Sequence, residues 1–419
     1  NKLIELRKSF SKTFSLISNS INLKNLYQDG AILYQIGLKI NLESLKKMSK
    51  PKLNVISRKW PNLPFEVLRE PIKHKTAISM QDEFLFFPVH QHLDYKIIYN
   101  LGLDLVDNKN KEYKITQAGK SEWEELFNKC KNTNLLQTWF YGDAKQKLEG
   151  YNPGRFIIKS GSKIEAIFQV LKKSYGPISI YRLNRGPLFI NDKIDYLSKI
   201  NIFREIRKYY LIRKNRLLLI APNLERNSEN ISVLKNAGFR KRNQNRWNSY
   251  KIDLNKSIDD LRTKLNGKWR NQLKKAEKYN FNFVINNSAE TFDRLIEKYR
   301  ENMIKKNFVG PDEKIFRSIF NSNQKSILIG NVLLNNHLIA INLITIYGNS
   351  STYEIGWNSN EGRKKYANNF LLWNTIIKLK ELGIENFDLG GINKKRNPGI
   401  AKFKNGMSGK EYTLAGEWF

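Results

Sequence analysis

Two successive runs of alternating helix and strand patterns predict an α/β (α+β) chain with mixed, largely antiparallel sheets, preceded by an N-terminal α/β segment. Three observations carry this expectation. From about residue 112 onward, apolar residues switch repeatedly between helical spacing and short β-branched runs. The plan laid out over residues 111–254 recurs over residues 255–419. And 419 residues, 40% hydrophobic and 12% aromatic with only 11 prolines, suffice for two or three domains with their own cores.

Residues 1–110 differ from the rest. Ser9 to Ile40 shows apolar residues at helical spacing, followed by the proline-punctuated Trp60-Pro61-Asn62-Leu63-Pro64 and an apolar run from Phe84 to Val89. The pattern then becomes regular. Lys114 to Lys129 reads as a helix carrying Trp123 and Leu126, and the block Gln137 to Lys145 follows. Strands are expected at Arg155–Lys159, Ile164–Leu171 and Ile178–Leu183, the last leading into Asn184-Arg185-Gly186-Pro187. A helix (Lys193–Lys214), a strand (Arg216–Ala221) and the run Tyr250–Leu254 close this half. The second half opens with a basic helix over Ile258–Tyr279, a strand at Phe281–Ile285 and a helical pair over Ala289–Phe320. Strands at Ser326–Gly330, Val332–Leu334 and Leu338–Tyr347 are antiparallel, with Asn335-Asn336 at a turn that tolerates positive φ. A strand at Thr352–Trp357, a helix over Asn368–Leu382 and a final strand at Phe387 complete the order.

Lys and Arg outnumber Asp and Glu by 73 to 39, a formal charge of +34. Such a surplus suits a phosphate backbone or an anionic membrane face; a chain this rich in Lys, Asn and Ile also acquires lysine through compositional bias. The single cysteine, Cys130, excludes an intrachain disulfide and a cysteine-based zinc site. His90 and His92 lie one residue apart without further ligands at metal spacing, so no metal and no cofactor are expected. No apolar run approaches the roughly 18 residues of a membrane span. With no signal peptide apparent, a cytoplasmic protein is expected, with peripheral contact at the inner membrane face.

The most informative stretch closes the chain. Phe387-Asp388-Leu389-Gly390-Gly391-Ile392 reads as a buried strand ending in a Gly-Gly turn, and Pro398 starts a short basic helix running to Asn405. Adjacent glycines let backbone approach a ligand. Phe403-Lys404 sets an apolar plate beside a cation able to stabilise the oxyanion formed when an amine attacks an ester. A solvated Lys404 on an ordinary helix fits the residue types equally well. Asp388, at the mouth of the strand, is a candidate proton acceptor and equally a buried structural carboxylate.

This block, with Gly399-Ile400-Ala401-Lys402-Phe403-Lys404-Asn405-Gly406, resembles the closing signature of the Fem family, peptidyltransferases that move an amino acid from aminoacyl-tRNA onto a peptidoglycan precursor. The resemblance covers about residues 112–419 and implies two tandem GNAT-like acyltransferase domains with no helical arm between them. The helix, helix, antiparallel strands, helix, strand order of the second half agrees with a GNAT-type fold. The resemblance places Phe403 and Lys404 at the aminoacyl-tRNA end, the lysine balancing transition-state charge. Met407-Ser408 stands where the family commonly has Phe-Gly. In Gln137-Thr138-Trp139-Phe140-Tyr141-Gly142-Asp143-Ala144-Lys145, the resemblance makes Lys145 the ligand of the precursor's phosphates, with Trp139 and Tyr141 beside it. Core aromatics and an exposed lysine are the other reading. Arg185 takes the place of a family basic residue before Gly-Pro. The partners so implied are aminoacyl-tRNA and a peptidoglycan precursor, either a UDP-sugar pentapeptide or a lipid-linked one.

From Arg262 to Lys278 there are seven basic residues against one acid, Glu277. Lys264, Lys268 and Lys275 recur at helical spacing, and with Arg270 and Lys274 they form a face able to follow an RNA phosphate ridge, while Trp269 and Leu273 point to the core. A solvated face is the alternative. Two rival functions stand beside aminoacyl transfer: a non-catalytic RNA- or membrane-surface-binding module, and an acyl-coenzyme A N-acyltransferase. GNAT enzymes of the latter kind cradle a pyrophosphate on an Arg/Gln-x-x-Gly-x-Gly/Ala loop; here Arg363-Lys364-Lys365-Tyr366-Ala367-Asn368 puts Tyr366 and Asn368 at the small positions. The literal match Arg396–Ala401 follows the last strand, outside that context. The stretch Trp60–Leu93 resembles the tail of sugar aminotransferases that use pyridoxal phosphate, but is too short to supply their lysine-bearing domain and is assigned no activity.

Overall fold

The computed structural model describes residues 35–39, 58–59, 63–88, 113–211, 215–242, 247–306, 308 and 310–419. The chain divides into two units, Asn1–Lys111 and Glu112–Phe419. In the first unit, β1 (Gln35–Lys39) and β2 (Arg58–Lys59) flank β3 (Phe84–Pro88) as antiparallel neighbours, with helices α1 (Phe65–Arg69) and α2 (Lys75–Glu83) between β2 and β3. Gln35–Lys39 is thus extended where helical spacing predicted helix: the apolar positions that match a helix also serve a strand once Phe84–Pro88 offers hydrogen bonds. The rest of that predicted helix, and His90 and His92, lie outside the described residues.

The second unit carries two sheets, the mixed α/β architecture expected. The first has the order β4 (Tyr113–Gln117), β5 (Asn152–Ser160), β6 (Lys163–Tyr175), β7 (Ile178–Asn184), β9 (Arg216–Ala221), with the short β8 (Leu188–Phe189) also on β6. All pairs are antiparallel except β7 with β9. The stretch predicted as helix from Lys114 divides into β4 and helix α3 (Lys120–Lys129), since Tyr113–Gln117 finds a partner in β5. Helices α4 (Trp139–Glu149), α5 (Tyr196–Leu211) and α6 (Ser228–Asn236) complete this half.

The second sheet orders seven strands: β11 (Phe281–Ile285), β12 (Ile327–Leu334), β13 (His337–Tyr347), β14 (Ser350–Asn358), β15 (Asn386–Asp388), β10 (Asn248–Asp253) and β16 (Lys410–Thr413). Only β14 with β15 is parallel. Asn335 and Asn336 turn the β12–β13 hairpin with φ 49 and 63, as their side chains predict. β10, which closes the first half in sequence, is an inner strand of this second sheet, between β15 and β16.

The helices of this half are α7 (Ile258–Lys264), α8 (Gly267–Ala276), α9 (Ala289–Lys306), α10 (Glu313–Ser322), α11 (Asn360–Lys364), α12 (Ala367–Glu381) and α13 (Pro398–Asn405). One apolar cluster joins the halves, with Trp123 and Ile157 of the first in the same core as Phe292, Ile319, Ile329 and Leu343 of the second. Helix α10 shows why this face is buried. Asp312 caps it by accepting from the Lys314 amide at 2.9 Å, and Ile315, Phe316, Ile319 and Phe320 form one apolar stripe.

Candidate active site

The site begins where two parallel strands part. β14 and β15 pair only from Ser350↔Asn386 to Thr352↔Asp388, yet β14 runs on to Asn358. The chain after Asp388 turns through Gly390 at φ 75, where a Cβ would collide with the Tyr353 carbonyl oxygen, so only glycine fits. Helix α13, opened by proline, then covers the gap. The result is a cavity of about 390 Å³ lined by Tyr353, Glu354, Arg363, Gly391, Phe403 and Lys404 among others.

Lys404 is 8% exposed. Its ammonium donates to the carbonyls of Gly390 at 3.2 Å and Gly391 at 3.1 Å, and stands 5.5 Å from the centre of the Tyr353 ring. Burial lowers its pKa to about 8, against the opposing charges of Asp388 and Glu354. The ammonium therefore lies at a cavity wall, largely shielded from bulk water.

Glu354 is the residue that the sequence did not reveal. The β13–β14 register jumps from Leu343↔Ile355 to Ile344↔Tyr353, leaving Glu354 as the extra residue of a β-bulge. Thr345 donates to it at 2.8 Å, and burial, with the charge of Asp388, raises its pKa to about 7. Cavity, lysine and glutamate make a pair of groups that change charge near neutrality in one enclosure.

Three donors converge on Asp388: the hydroxyls of Ser249 and Tyr412, and the Gly390 amide at 2.8 Å. A carboxylate so occupied holds its neighbours in place, here the Gly390-Gly391 turn and strand β16. Phe403 lies 6.0 Å from the Trp269 ring and lines both the main cavity and a neighbouring one of about 300 Å³ bordered by Lys268 and Lys402.

The residues expected on the acceptor side separate. Tyr141, on helix α4, is buried enough that its phenol pKa rises, with contributions from Glu149 and from Glu354 across the sheets. Arg185 feels the charges of Tyr412 and Asp388. Trp139 instead carries the Arg155 guanidinium 3.8 Å above its ring, within a network through Asp143 and Gln169. Lys145 pairs with Glu149 and shares the face of Tyr151 with Lys173.

The basic helix is two helices, α7 and α8. Asn266 caps the second by accepting from the Lys268 amide at 3.1 Å, which breaks the run that the sequence predicted as continuous. Lys264 therefore does not share a helix face with Lys268 and Lys275. Lys264, Lys268, Lys274 and Lys275 are exposed, while Arg270 donates to the Thr263 carbonyl at 2.8 Å and links the two helices.

With this geometry in place, comparison with known proteins is decisive for the class. Residues 263–405 match the model of the acetyltransferase (GNAT) domain. They form a GNAT acyltransferase domain. The Glu112–Phe419 unit shares its fold with FemX, and the protein is an acyltransferase. The crystal structure of FemX superposes with a TM-score of 0.64 at 16% identity, covering 73% of this chain and 96% of that one. The L-PGS structure from Bacillus licheniformis gives 0.43 at 14% identity over 72% of this chain and 92% of that one. A tandem GNAT protein from the clavulanic acid biosynthesis pathway gives 0.42 at 10% identity over 73% and 98%. No curated protein matches the chain by sequence. Among the described residues no helix is long and apolar enough to cross a membrane.

Proposed function

We propose that this acyltransferase moves an aminoacyl group from aminoacyl-tRNA to a primary amine of a peptidoglycan precursor. The observation that carries the reading is the enclosed Lys404 ammonium, held by two carbonyls in a cavity that Glu354 also lines. The likeness of fold to FemX and the exposed lysines of α8 beside the Phe403 cavity support RNA as the carrier.

The chemistry follows from those groups. The acceptor amine attacks the ester carbonyl, forming the C–N bond and placing negative charge on the carbonyl oxygen. Lys404 stabilises that oxygen. Glu354, ionised, takes the proton released by the amine and returns it to the ribose oxygen as the C–O bond breaks. Asp388 keeps the Gly390-Gly391 turn, and with it Lys404, in place. Tyr141 and Arg185, within the fields of Glu354 and Asp388 respectively, belong to the acceptor side; Lys145 serves the acceptor's phosphates only if its pair with Glu149 opens. Incubation with total charged tRNA and a panel of precursors, read by mass spectrometry, should show one precursor gaining an amino acid; no gain with any precursor rejects the reading.

An acyl-coenzyme A donor is the second reading, because Arg363 and Asn368, on either side of the start of helix α12, line the same cavity. Tyr366, at φ 58 in the cap of that helix, puts a ring where a pyrophosphate cradle uses a small residue. Thermal stabilisation by charged tRNA and not by coenzyme A is expected; the reverse would favour the second reading.

A further inference from the structure

The loop between β7 and β8 is built around one buried side chain. Gln137 donates to the carbonyls of Asn184 at 2.6 Å and Gln169 at 3.0 Å, and accepts from the Gln169 amide at 2.7 Å. Gly186 packs so closely that a Cβ there would lie 2.8 Å from Gln137 Oε1. Held on both sides, Arg185 adopts the left-handed conformation at φ 62, and its amide donates to the Ala221 carbonyl at 2.7 Å. An arginine in that region persists only where its surroundings over-determine it.

The side chain so presented is unusual. Its guanidinium stands 5.1 Å from the centre of the Trp247 ring. Burial weakens its hold on the proton, and Tyr412, Asp388, Tyr347 and Tyr141 are the groups whose fields counter this. Among the described residues the guanidinium has no hydrogen bond or ion pair. Its neighbours in this half do: Arg155 with Asp143, and Arg182 and Arg242 with Glu417. The nearest acid, Asp388, is already committed to three donors. A partly buried arginine fork with no protein acceptor is free to meet an anion in use.

Its location says which reactant that is. The Trp247 indole donates to the Tyr412 hydroxyl at 3.3 Å, and its ring lies 3.0 Å from where a Cβ on Gly391 would be. Gly391 lines the Lys404 cavity, whereas Tyr347, Asp388 and Tyr412 line a second, polar cavity of about 380 Å³. Arg185 thus stands against the tryptophan that packs on Gly391 of the first cavity and within the field of Tyr347, Asp388 and Tyr412 of the second.

We infer that Arg185 anchors a carboxylate carried on the amine acceptor, setting that amine toward Glu354 and Lys404. The inference rests on the acyl-transfer reading above for the word acceptor, but the binding it requires does not need a donor. A carboxylate fits better than a phosphate: it presents two coplanar oxygens to the fork, and its single charge meets less repulsion from Asp388 than a phosphate dianion would.

The test is calorimetric titration, without any acyl donor, of N-acetyl-alanyl-lysine and of its C-terminal amide. The wild-type protein should bind the acid about tenfold or more tightly than the amide. Arg185→Gln should erase that preference, and Arg185→Lys, which keeps the charge but loses the fork, should retain only part of it. Unchanged melting temperatures would exclude misfolding as the cause. Equal binding of acid and amide by the wild type, no binding of the acid, or a preference that survives Arg185→Gln overturns the inference. So does displacement of the acid by millimolar inorganic phosphate, which would make the site a phosphate site. Failure of aminoacyl transfer with the acid–amide preference intact would instead strike the proposed function and leave the carboxylate site standing.

Discussion

The two halves of the Glu112–Phe419 unit each set one parallel strand pair in an otherwise antiparallel sheet, and only one of these pairs opens. In the first half β7 and β9 stay paired from Ser179↔Arg216 to Asn184↔Ala221, the end of both strands. On the outer side of the edge strand β9, Trp418, fully buried, exchanges hydrogen bonds with Ile220 at 2.9 and 2.8 Å. In the second half pairing stops after three residue pairs, and the gap holds Lys404 and Glu354. The same strand order thus gives a closed parallel pair in one half and a cavity in the other, and the difference lies in how far the two strands stay together.

Four experiments break or sharpen that contrast. Removing the tryptophan that covers the edge of the closed half should have the largest energetic effect: Trp418→Ala is expected to destabilise the unit by about 3–5 kcal/mol, measured by denaturant unfolding, as for a large core aromatic. A destabilisation below about 1 kcal/mol would mean that the outer edge of β9 does not need this cover. In the open half, Lys404→Met should lower turnover about 100-fold or more while leaving the melting temperature no lower than wild type, because a desolvated ammonium is removed. Near-normal turnover would take Lys404 out of the reaction.

Glu354→Gln should cost about 100-fold in kcat and remove the acidic limb of the pH profile. The signs are opposite for the two groups. Glu354, raised to about 7, must be ionised, so activity falls as pH drops below that value. Lys404, lowered to about 8, must be protonated, so activity falls as pH rises above it. The wild-type profile should be a narrow bell between these values, which belong to the interacting pair; a flat profile from pH 6 to 9 would contradict both assignments. The smallest effect is expected on the lysine face of α8, proposed above to meet RNA. Neutralising Lys268, Lys274 and Lys275 together should weaken tRNA binding and flatten its salt dependence by roughly 0.7–0.9 in log–log slope for each phosphate that no longer meets a lysine. An unchanged slope would return these lysines to a solvated role.

Much of this site can be read from the chain where the signal is local. The strand around Phe387, the Gly-Gly turn and the proline-started helix with Lys404 are each written within a few residues, and the structure places all three at the cavity. Glu354 is different. In an alternating strand a lone acid reads as solvent-facing, and the bulge that turns it inward comes from the register with β13, which sequence spacing does not encode. Asn266 marks a cap inside a periodic run, so α7 and α8 read as one helix until the Lys268 amide is seen to need an acceptor. The placement of β10 depends on pairing with Phe387 and Tyr412, more than a hundred residues away in sequence, and no local pattern reports that.

That displaced strand has a consequence for how the enzyme can be divided. Asn248–Asp253 leaves the first half to lie inside the second sheet, and the residues after β16 return to bond Ile220 and Arg240 of the first. The chain is stitched in both directions. A protein severed between Leu254 and Ser257 would yield a second fragment lacking β10 and a first lacking the C-terminal residues bonded to Ile220 and Arg240, and neither would keep the gap beside Lys404 in shape. Function would reappear only on complementation, when the fragments are made together and reassemble, so the half without Lys404 and Glu354 is as necessary to the cavity's shape as the half that bears them.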